Sequence, residues 1–333
     1  MYDMSQQPVF IEEEAWRETF AGYHITDCAI RDRDCVYLLL RETLPEDEAN
    51  SLWDFEIKSR LAVLFLQKSE PKDRRGHRGL ADFRKPRVGV SRLPLPQGLV
   101  VASNGSVWAM GSKKKGLEKL PDGGRRLGIQ KIRCLFDRAY AVGAEREVFR
   151  RVDIGTWERL SHGLPPPEEQ VDSNVLFDMG FWDIDGFAED DLYAVGGRGD
   201  VWHYDGKTWR VCEFPSNWPL FTVCCAPDGQ VYITGEGGTI FQGRGDVWKR
   251  VWDDDMMVPY NDSLWFQGKL WLASDYRLAV FENGKVERAE HQGERVPAFG
   301  HMDVADGILV VASQDTVRLF DGTSWRVLVS PYP

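Results

Sequence analysis

Short runs of apolar residues that alternate with polar residues recur along this chain, and turn residues separate them. The clearest copy lies between residues 180 and 211. In this copy the runs 192–195 and 201–204 flank a glycine-rich turn, and Asp205-Gly206 forms a second tight turn before Trp209. Alternation with a period of two, broken by such turns, is typical of antiparallel hairpins. Together with the apolar start of the copy, the pattern predicts a four-stranded antiparallel sheet.

The copy repeats with a fixed spacing. Tyr193, Tyr232, Trp271 and Val310 lie 39 residues apart in three successive steps. A strand-rich repeat of about 40 to 50 residues is typical of a β-propeller. The sequence therefore predicts an all-β fold, a closed β-propeller of four-stranded antiparallel blades that forms one domain over residues 1–333. Seven blades account best for this length, and six blades are the alternative.

Four segments depart from the repeat. Residues 1–20 end in a tryptophan-containing phrase like those of the outer strands, so they are predicted to add a strand segment that helps to close the ring. Residues 43–59, acidic and then amphipathic, and the basic residues 68–92 are predicted to be insertions or loops. Residues 163–175 carry a Pro-Pro-Pro run and two glutamates, which predicts a stiff connector between blades.

Two phrases carry a resemblance to known repeats. Residues 192–196 (Leu-Tyr-Ala-Val-Gly) and 203–209 (His-Tyr-Asp-Gly-Lys-Thr-Trp) resemble bacterial propeller repeats of the WD40, YVTN and kelch-like groupings. The resemblance extends over roughly residues 20–330. It is to a divergent repeat class and not to a single enzyme family, so it implies the fold without implying a reaction.

Motifs that would indicate catalysis or cofactor binding are missing from the sequence. It contains no P-loop, Gly-x-Ser-x-Gly, His-Glu-x-x-His or EF-hand pattern, and its six histidines fall in different repeats. No cofactor and no metal site are predicted. The six cysteines are scattered without metal-ligand spacing, which favours buried free thiols over a disulfide framework.

The charge is distributed unevenly. Residues 1–150 contain 26 Lys and Arg against 22 Asp and Glu, whereas residues 151–333 contain 15 against 30, for a net charge of −11 in the whole chain. An acidic chain argues against direct nucleic-acid binding and favours a basic protein partner. No apolar run approaches the roughly 18 residues that would span a bilayer, and residues 1–20 lack the pattern of a signal peptide. The expected location is therefore the cytoplasm, with no membrane contact.

One face of the predicted propeller gathers the candidate binding residues. In a propeller, the loops between the second and third strands and the loops between blades lie at the same end of the channel. Aromatic and acidic side chains in these loops are typical of a protein-docking face. The predicted partner-binding residues are Arg198, Trp218, Glu236, Asp253, Asp254, Asp255, Tyr260, Tyr276, Arg277 and Asp315.

These observations favour a non-enzymatic propeller that binds another protein. The most plausible kind is a bacterial toxin-neutralising immunity protein or an interaction adaptor, because many toxin domains that act on nucleic acids are basic. The alternative is a hydrolase or lyase that acts on a glycan or small molecule at the channel mouth. That alternative requires paired carboxylates such as Asp183 and Asp303, one of them with a raised pKa. A scaffold that binds no small ligand is a third possibility.

Overall fold

The computed structural model describes residues 9–112, 114–122, 127–165, 180–253 and 257–332. Within these residues, seven antiparallel sheets have four strands each, and one further sheet is a two-stranded hairpin. In each four-stranded sheet the strands pair in chain order. The same part of the chain contains no helix that is long and apolar enough to cross a membrane.

The first four blades comprise sixteen strands, and the chain runs from the inner to the outer strand of each blade. Blade one contains β1 (Tyr23–Asp32), β2 (Cys35–Glu42), β3 (Ser59–Phe65) and β4 (Arg75–Leu80). Blade two contains β5 (Arg87–Ser91), β6 (Gln97–Val101), β7 (Ser106–Gly111) and β8 (Lys114–Lys119). Blade three contains β9 (Ile129–Leu135), β10 (Arg138–Gly143), β11 (Val148–Asp153) and β12 (Thr156–Arg159). Blade four contains β13 (Phe181–Ala188), β14 (Asp191–Gly196), β15 (Asp200–Tyr204) and β16 (Trp209–Val211).

The remaining blades follow the same order. Blade five contains β17 (Leu220–Cys225), β18 (Val231–Gly235), β19 (Ile240–Arg244) and β20 (Val247–Trp252). Blade six contains β21 (Asp262–Phe266), β22 (Lys269–Ala273), β23 (Leu278–Glu282) and β24 (Lys285–Arg288). The hairpin β25 (Glu290–His291) and β26 (Glu294–Arg295) precedes blade seven. Blade seven contains β27 (His301–Ala305), β28 (Ile308–Ala312), β29 (Val317–Phe320) and β30 (Trp325–Val329).

The seven blades form a closed ring. Each inner strand contacts the inner strand of the next blade, and β27 of blade seven contacts β1 of blade one. Buried apolar side chains form seven clusters in the described residues, one between each pair of neighbouring blades. Burial of apolar area between blades is thus repeated around the ring and stabilises its closure. The prediction of a closed seven-bladed propeller is confirmed, and the six-bladed alternative is wrong.

The Asp-Gly turns explain why the same phrase recurs at the outer strands. Asp205 Oδ1 accepts hydrogen bonds from the backbone N–H groups of Lys207 (2.9 Å) and Thr208 (2.7 Å). Gly206 follows with φ of 87°, a left-handed conformation that glycine adopts without strain. The indole of Trp209 then donates to Leu160 O across the interface with blade three, at 2.9 Å. Turn and tryptophan together position the outer strand and join it to the preceding blade.

The N-terminal segment differs from its prediction. Residues Glu13–Thr19 form a helix, α1, so the expected strand is wrong over this stretch. Just before it, the N–H groups of Phe10 and Ile11 donate to Val327 O and Leu328 O of β30, each at 3.0 Å. Ile11 is buried in the cluster between blades seven and one. The segment therefore lies against the ring where blade seven meets blade one, but mainly as a helix.

Two of the predicted insertions are also clarified. Residues 43–59 contain a short helix, α2 (Glu46–Ser51), and end where β3 begins. Residues 68–92 are not a long loop, because they include β4, the outer strand of blade one, and β5, the inner strand of blade two. The sequence pattern did not predict β4 because its side chains are mostly basic. An outer strand at the rim of a propeller is exposed and needs no alternation of apolar and polar residues. Of the connector at 163–175, residues 166–175 lie outside the described residues.

Candidate functional site

The loops between the second and third strands of each blade and the loops between blades lie at the end of the ring where the inner strands begin. Together they form a single surface, called the upper face. Backbone hydrogen bonds join loops of neighbouring blades: Gly199 N–H donates to Trp218 O (2.9 Å), and Gly300 N–H donates to Ser274 O (2.7 Å). These bonds fix the loops to one another as well as to their own strands. The described residues of the upper face are 20–22, 43–58, 81–86, 102–105, 120–122, 127–128, 144–147, 160–165, 197–199, 212–219, 236–239, 253, 257–261, 274–277, 289–300 and 313–316.

Arg198, Trp218 and Glu236 come together between blades four and five. Arg198 pairs with Pro219 as an isolated β-bridge, and Glu236 N–H donates to Pro219 O at 2.9 Å. The side chains of Arg198 and Glu236 are exposed, and Trp218 is 42% exposed. This part of the predicted site therefore carries a cation, an anion and an aromatic ring on loops that are joined by backbone hydrogen bonds.

The other predicted residues are distributed along the arc from blade five to blade seven. Tyr276 is 70% exposed, Asp315 is exposed, and Asp253 lies 3.3 Å from Arg250 in an ion pair. Asp254 and Asp255 lie outside the described residues. The described members of the predicted set are thus spread over four blades and do not converge into one pocket.

Tyr260 occupies a different environment from the one expected of a contact residue. It is 1% exposed, and its hydroxyl accepts a hydrogen bond from Arg277 Nη2 at 2.9 Å. Burial raises the pKa of Tyr260, so the phenol stays neutral. Tyr260 therefore supports Arg277 from below and offers no surface to a partner.

Exposed aromatic side chains are concentrated on the upper face. Among the described residues, the large hydrophobic side chains that remain exposed include five aromatics, and all five lie in upper-face loops. Exposed aromatic rings are frequent anchors of protein interfaces because they bury large areas at low entropic cost. The five are Trp53, Phe55, Trp218, Tyr276 and Phe299.

Aspartates of the inner strands fasten neighbouring blades. Each of five aspartates accepts a hydrogen bond from a backbone N–H of the inner strand in the following blade. Three of these aspartates are buried and two are partly buried. Unpaired carboxylates would be costly at such positions, and these bonds compensate that cost. The pairs are Asp27 with Val88, Asp183 with Val223, Asp185 with Cys225, Asp262 with Met302, and Asp303 with Ile30.

The channel also contains a charged cluster that crosses it. Lys131 of blade three forms an ion pair with Asp262 of blade six, and His301 Nδ1 lies 3.0 Å from Asp262 Oδ2. Burial alone would raise the pKa of Asp262, but the charge of Lys131 and the bond from His301 outweigh it and hold that pKa well below its usual range. Burial opposes protonation of His301, yet its bond to Asp262 prevails and raises the pKa of the imidazole.

The two carboxylates of the enzymatic alternative do not share one cavity. Asp303 lines a channel cavity of about 290 Å³, and burial raises its pKa to about 6. Asp183 does not line this cavity and instead pairs with Arg133 Nη1 at 3.0 Å. Within the described residues there is also no group of three or more His, Cys, Asp or Glu side chains that could hold a metal ion. All six cysteines are free thiols; four are buried, as predicted, whereas Cys134 and Cys225 are only partly buried.

Comparisons with known proteins decide the family. No protein-family profile matches the chain. The chain is 35% identical over 236 residues to a Pseudomonas aeruginosa protein named immune protein Tsi7, and the match covers 70% of this chain and 76% of that protein. This chain belongs to the Tsi7 immune-protein family.

Solved structures similar to this Tsi7-family chain bear on its fold. The WD40 β-propeller domain of Doa1 superimposes with a TM-score of 0.59 at 12% identity, covering 90% of this chain and 93% of that one. YCF48 from Cyanidioschyzon merolae has a TM-score of 0.55 at 11% identity, and the match covers 93% of this chain and 96% of that one. A catalytically inactive virginiamycin B lyase from Staphylococcus aureus has a TM-score of 0.56 at 10% identity, and the match covers 73% of this chain and 84% of that one. Identities this low show a shared fold alone.

Sequence reasoning missed three of the exposed aromatics of this Tsi7-family chain, namely Trp53, Phe55 and Phe299. Trp53 and Phe55 lie in the long connection between β2 and β3, and Phe299 lies between β26 and β27. Both connections belong to the same two sets of loops that defined the predicted face. The position of each connection in the strand order was therefore the signal that could have found them.

Proposed function

We propose that this chain neutralises a basic protein toxin in the cytoplasm by binding it through the upper face, without catalysing a reaction. Membership of the Tsi7 immune-protein family supports a protective role, and such a role needs a protein partner. A propeller supplies a rigid platform for that contact, since its loops are fixed by closed β-structure.

The concentration of exposed aromatic rings on the upper face is the observation that carries this proposal. All five exposed aromatics of the described chain lie there. The described residues of the face also contain 16 Asp and Glu against 7 Lys and Arg. Acidity alone would not select a face, because the whole chain carries a net charge of −11. Aromatic anchors within an acidic surround fit a partner that presents apolar pockets among basic side chains.

The test begins with the partner itself. The tagged chain is purified from its native host, and a stoichiometric basic chain that co-purifies is identified by mass spectrometry. That partner is then produced in host cells with and without this protein. We expect production of the partner alone to stop growth and co-production of this protein to restore it. Absence of any stoichiometric partner would contradict the proposal.

A double substitution, Trp218→Ala with Tyr276→Ala, tests the face. Both side chains are substantially exposed, so their loss should leave the fold intact while it removes two interface anchors. We expect protection of the cells to be lost or strongly reduced. The matched control is Val211→Ala with Val247→Ala, which removes exposed apolar side chains from the outer strands of blades four and five. Equal protection by both variants would show that the partner binds elsewhere.

A further inference from the structure

The connection between β2 and β3 is the longest strand-to-strand loop within a blade on the upper face. It spans residues 43–58 and is called the blade-one insertion, whereas the corresponding connections of the other blades have three or four residues. It carries Trp53, which is 72% exposed and is the most exposed aromatic of the described chain. Phe55, two residues later, is also exposed.

Arg41 holds the blade-one insertion in place. Its guanidinium is buried and donates to Ser59 Oγ (3.0 Å), Phe83 O (3.2 Å) and Asp54 O (2.9 Å). It also forms an ion pair with the Asp54 carboxylate at 3.2 Å. These bonds tie the insertion to β3 and to the loop that leads into blade two.

A second set of contacts orders the tip of the insertion. Asp54 Oδ1 accepts a hydrogen bond from Lys85 N–H, and Glu56 Oε2 accepts one from Trp53 N–H at 2.7 Å. The backbone on both sides of the Trp53 side chain is therefore fixed while the ring itself stays in solvent. An exposed aromatic on ordered backbone loses little entropy when a partner buries it, which is how preorganised anchors gain affinity.

The insertion also walls one side of an open cavity at the channel mouth. The cavity has a volume of about 680 Å³. Ala49, Asp54 and Ile57 of the insertion line it together with Trp182 and Gln130, which lie at the starts of inner strands β13 and β9. The insertion thus stands at the rim of the channel mouth, within the area where a partner would dock.

Charge complementarity indicates what the insertion contacts. Residues 43–58 contain five Asp and Glu against one Lys, and Glu46, Asp47 and Glu48 of α2 are exposed. From the exposed aromatics, the bracing by Arg41 and this charge, we propose that the blade-one insertion is the main anchor of the toxin complex. Trp53 fills an apolar pocket on the basic partner that is rimmed by Lys or Arg side chains, and Arg41 is the positioning residue. This inference rests on the proposed function.

Substitution of Trp53 tests the anchor. The probe is the stoichiometric partner chain isolated with this protein from its native host, and its affinity is measured by titration calorimetry. We expect Trp53→Ala to weaken binding at least tenfold, because a buried aromatic anchor is among the costliest interface residues to remove. Leu117→Ala is the control, since Leu117 is equally exposed, at 72%, on the outer strand of blade two. Its affinity should match that of the unsubstituted protein.

Substitution of Arg41 tests the positioning role. Arg41→Lys retains the charge but loses the forked donor geometry. We expect faster tryptic cleavage after Lys58 and a severalfold loss of affinity. A global destabilisation alone would speed cleavage at every site, so the pattern of cut sites separates the two effects.

The outcomes distinguish this inference from the proposed function. If the partner binds Trp53→Ala as tightly as the unsubstituted protein, while Trp218→Ala with Tyr276→Ala fails to bind it, the anchor is wrong and the proposed function stands. If no stoichiometric partner exists, both fail. If Trp53→Ala loses affinity and Leu117→Ala does not, the insertion is the anchor.

Discussion

At the scale of single residues, buried charges in this protein join one blade to the next. Arg151 of blade three is fully buried and pairs with Glu118 of blade two, and its Nη2 also donates to Gln97 Oε1 at 2.8 Å. The inner-strand aspartates make corresponding contacts inside the channel. A buried ion pair contributes little net stability, but loss of one partner is costly, so such pairs select one relative position of two blades.

Asp303 predicts a dependence of stability on pH. Burial raises its pKa to about 6, so the folded state holds a proton that the unfolded state has released between pH 4 and 6. Protonated Asp303 therefore contributes fully to stability below pH 4, and this contribution is lost as the pH rises through about 6. The free energy of unfolding falls by about 2 to 3 kcal/mol over this range. We expect Asp303→Asn to flatten this part of the unfolding free energy against pH.

The measurement for Asp303 is chemical denaturation at a series of pH values between 4 and 8. Asp34→Asn, a substitution of an exposed carboxylate at the turn between β1 and β2, is the control and should leave the slope unchanged. An unchanged slope in Asp303→Asn would contradict the assignment.

At the scale of elements, close packing of the blades depends on glycines at particular strand positions. Gly98 of β6 lies against the ring of Tyr37 in β2, and a Cβ atom added there would come within 2.6 Å of that ring. Tyr37 is 1% exposed, and its hydroxyl donates to Met110 O at 3.2 Å. Blades one and two therefore approach at a distance that only a residue without a side chain permits.

Gly98→Ala should destabilise this interface. The ring of Tyr37 is packed on all sides, so it cannot move without loss of other contacts, and overpacking of this kind costs about 1 to 3 kcal/mol. Thermal or urea unfolding measures the effect. Gly79→Ala in β4 is the matched control, because an added Cβ there meets no atom within 4 Å. Similar unfolding curves for the two variants would show that the blades adjust more easily than the packing implies.

At the scale of the whole molecule, the ring combines rigidity with a negative field. A net charge of −11 would attract the proposed basic partner over a distance set by the salt concentration, about 10 Å in 0.1 M salt. Such attraction acts mainly on the rate of association, whereas buried aromatic anchors act mainly on dissociation. In the proposed complex, the charge and the exposed aromatic side chains of the upper face would thus act on different steps of binding.

Charge reversal on the upper face should slow association. Glu236→Lys, Asp253→Lys and Asp315→Lys, combined, are expected to lower the association rate at low salt and to flatten its dependence on salt. The association rate constant with the partner, measured at several salt concentrations, tests this expectation. Asp34→Lys, Glu70→Lys and Glu282→Lys change the net charge by the same amount at other exposed positions, so they form the control. An equal effect of both triple variants would show that net charge, and not this face, directs the partner.

The sequence by itself determined the architecture, because a propeller is a local repeat. Each blade pairs strands that are consecutive in the chain, so the period from Tyr193 to Val310 and the Asp-Gly turns define strand order without long-range information. The same strand order identified the end of the ring at which the candidate loops gather. Family membership then agreed with the predicted immunity role.

Only the tertiary structure decided which side chains on that face are accessible. Tyr260 and Tyr276 look alike in sequence, yet one is buried beneath Arg277 and the other is in solvent. Trp53 lies on backbone that Arg41 braces through hydrogen bonds to Asp54 O and to Phe83 O, in the loop after β4. The channel aspartates likewise acquire their partners from the following blade. The exposure of a side chain and the partner it finds depend on contacts between blades. The local pattern of apolar and polar residues does not encode these contacts.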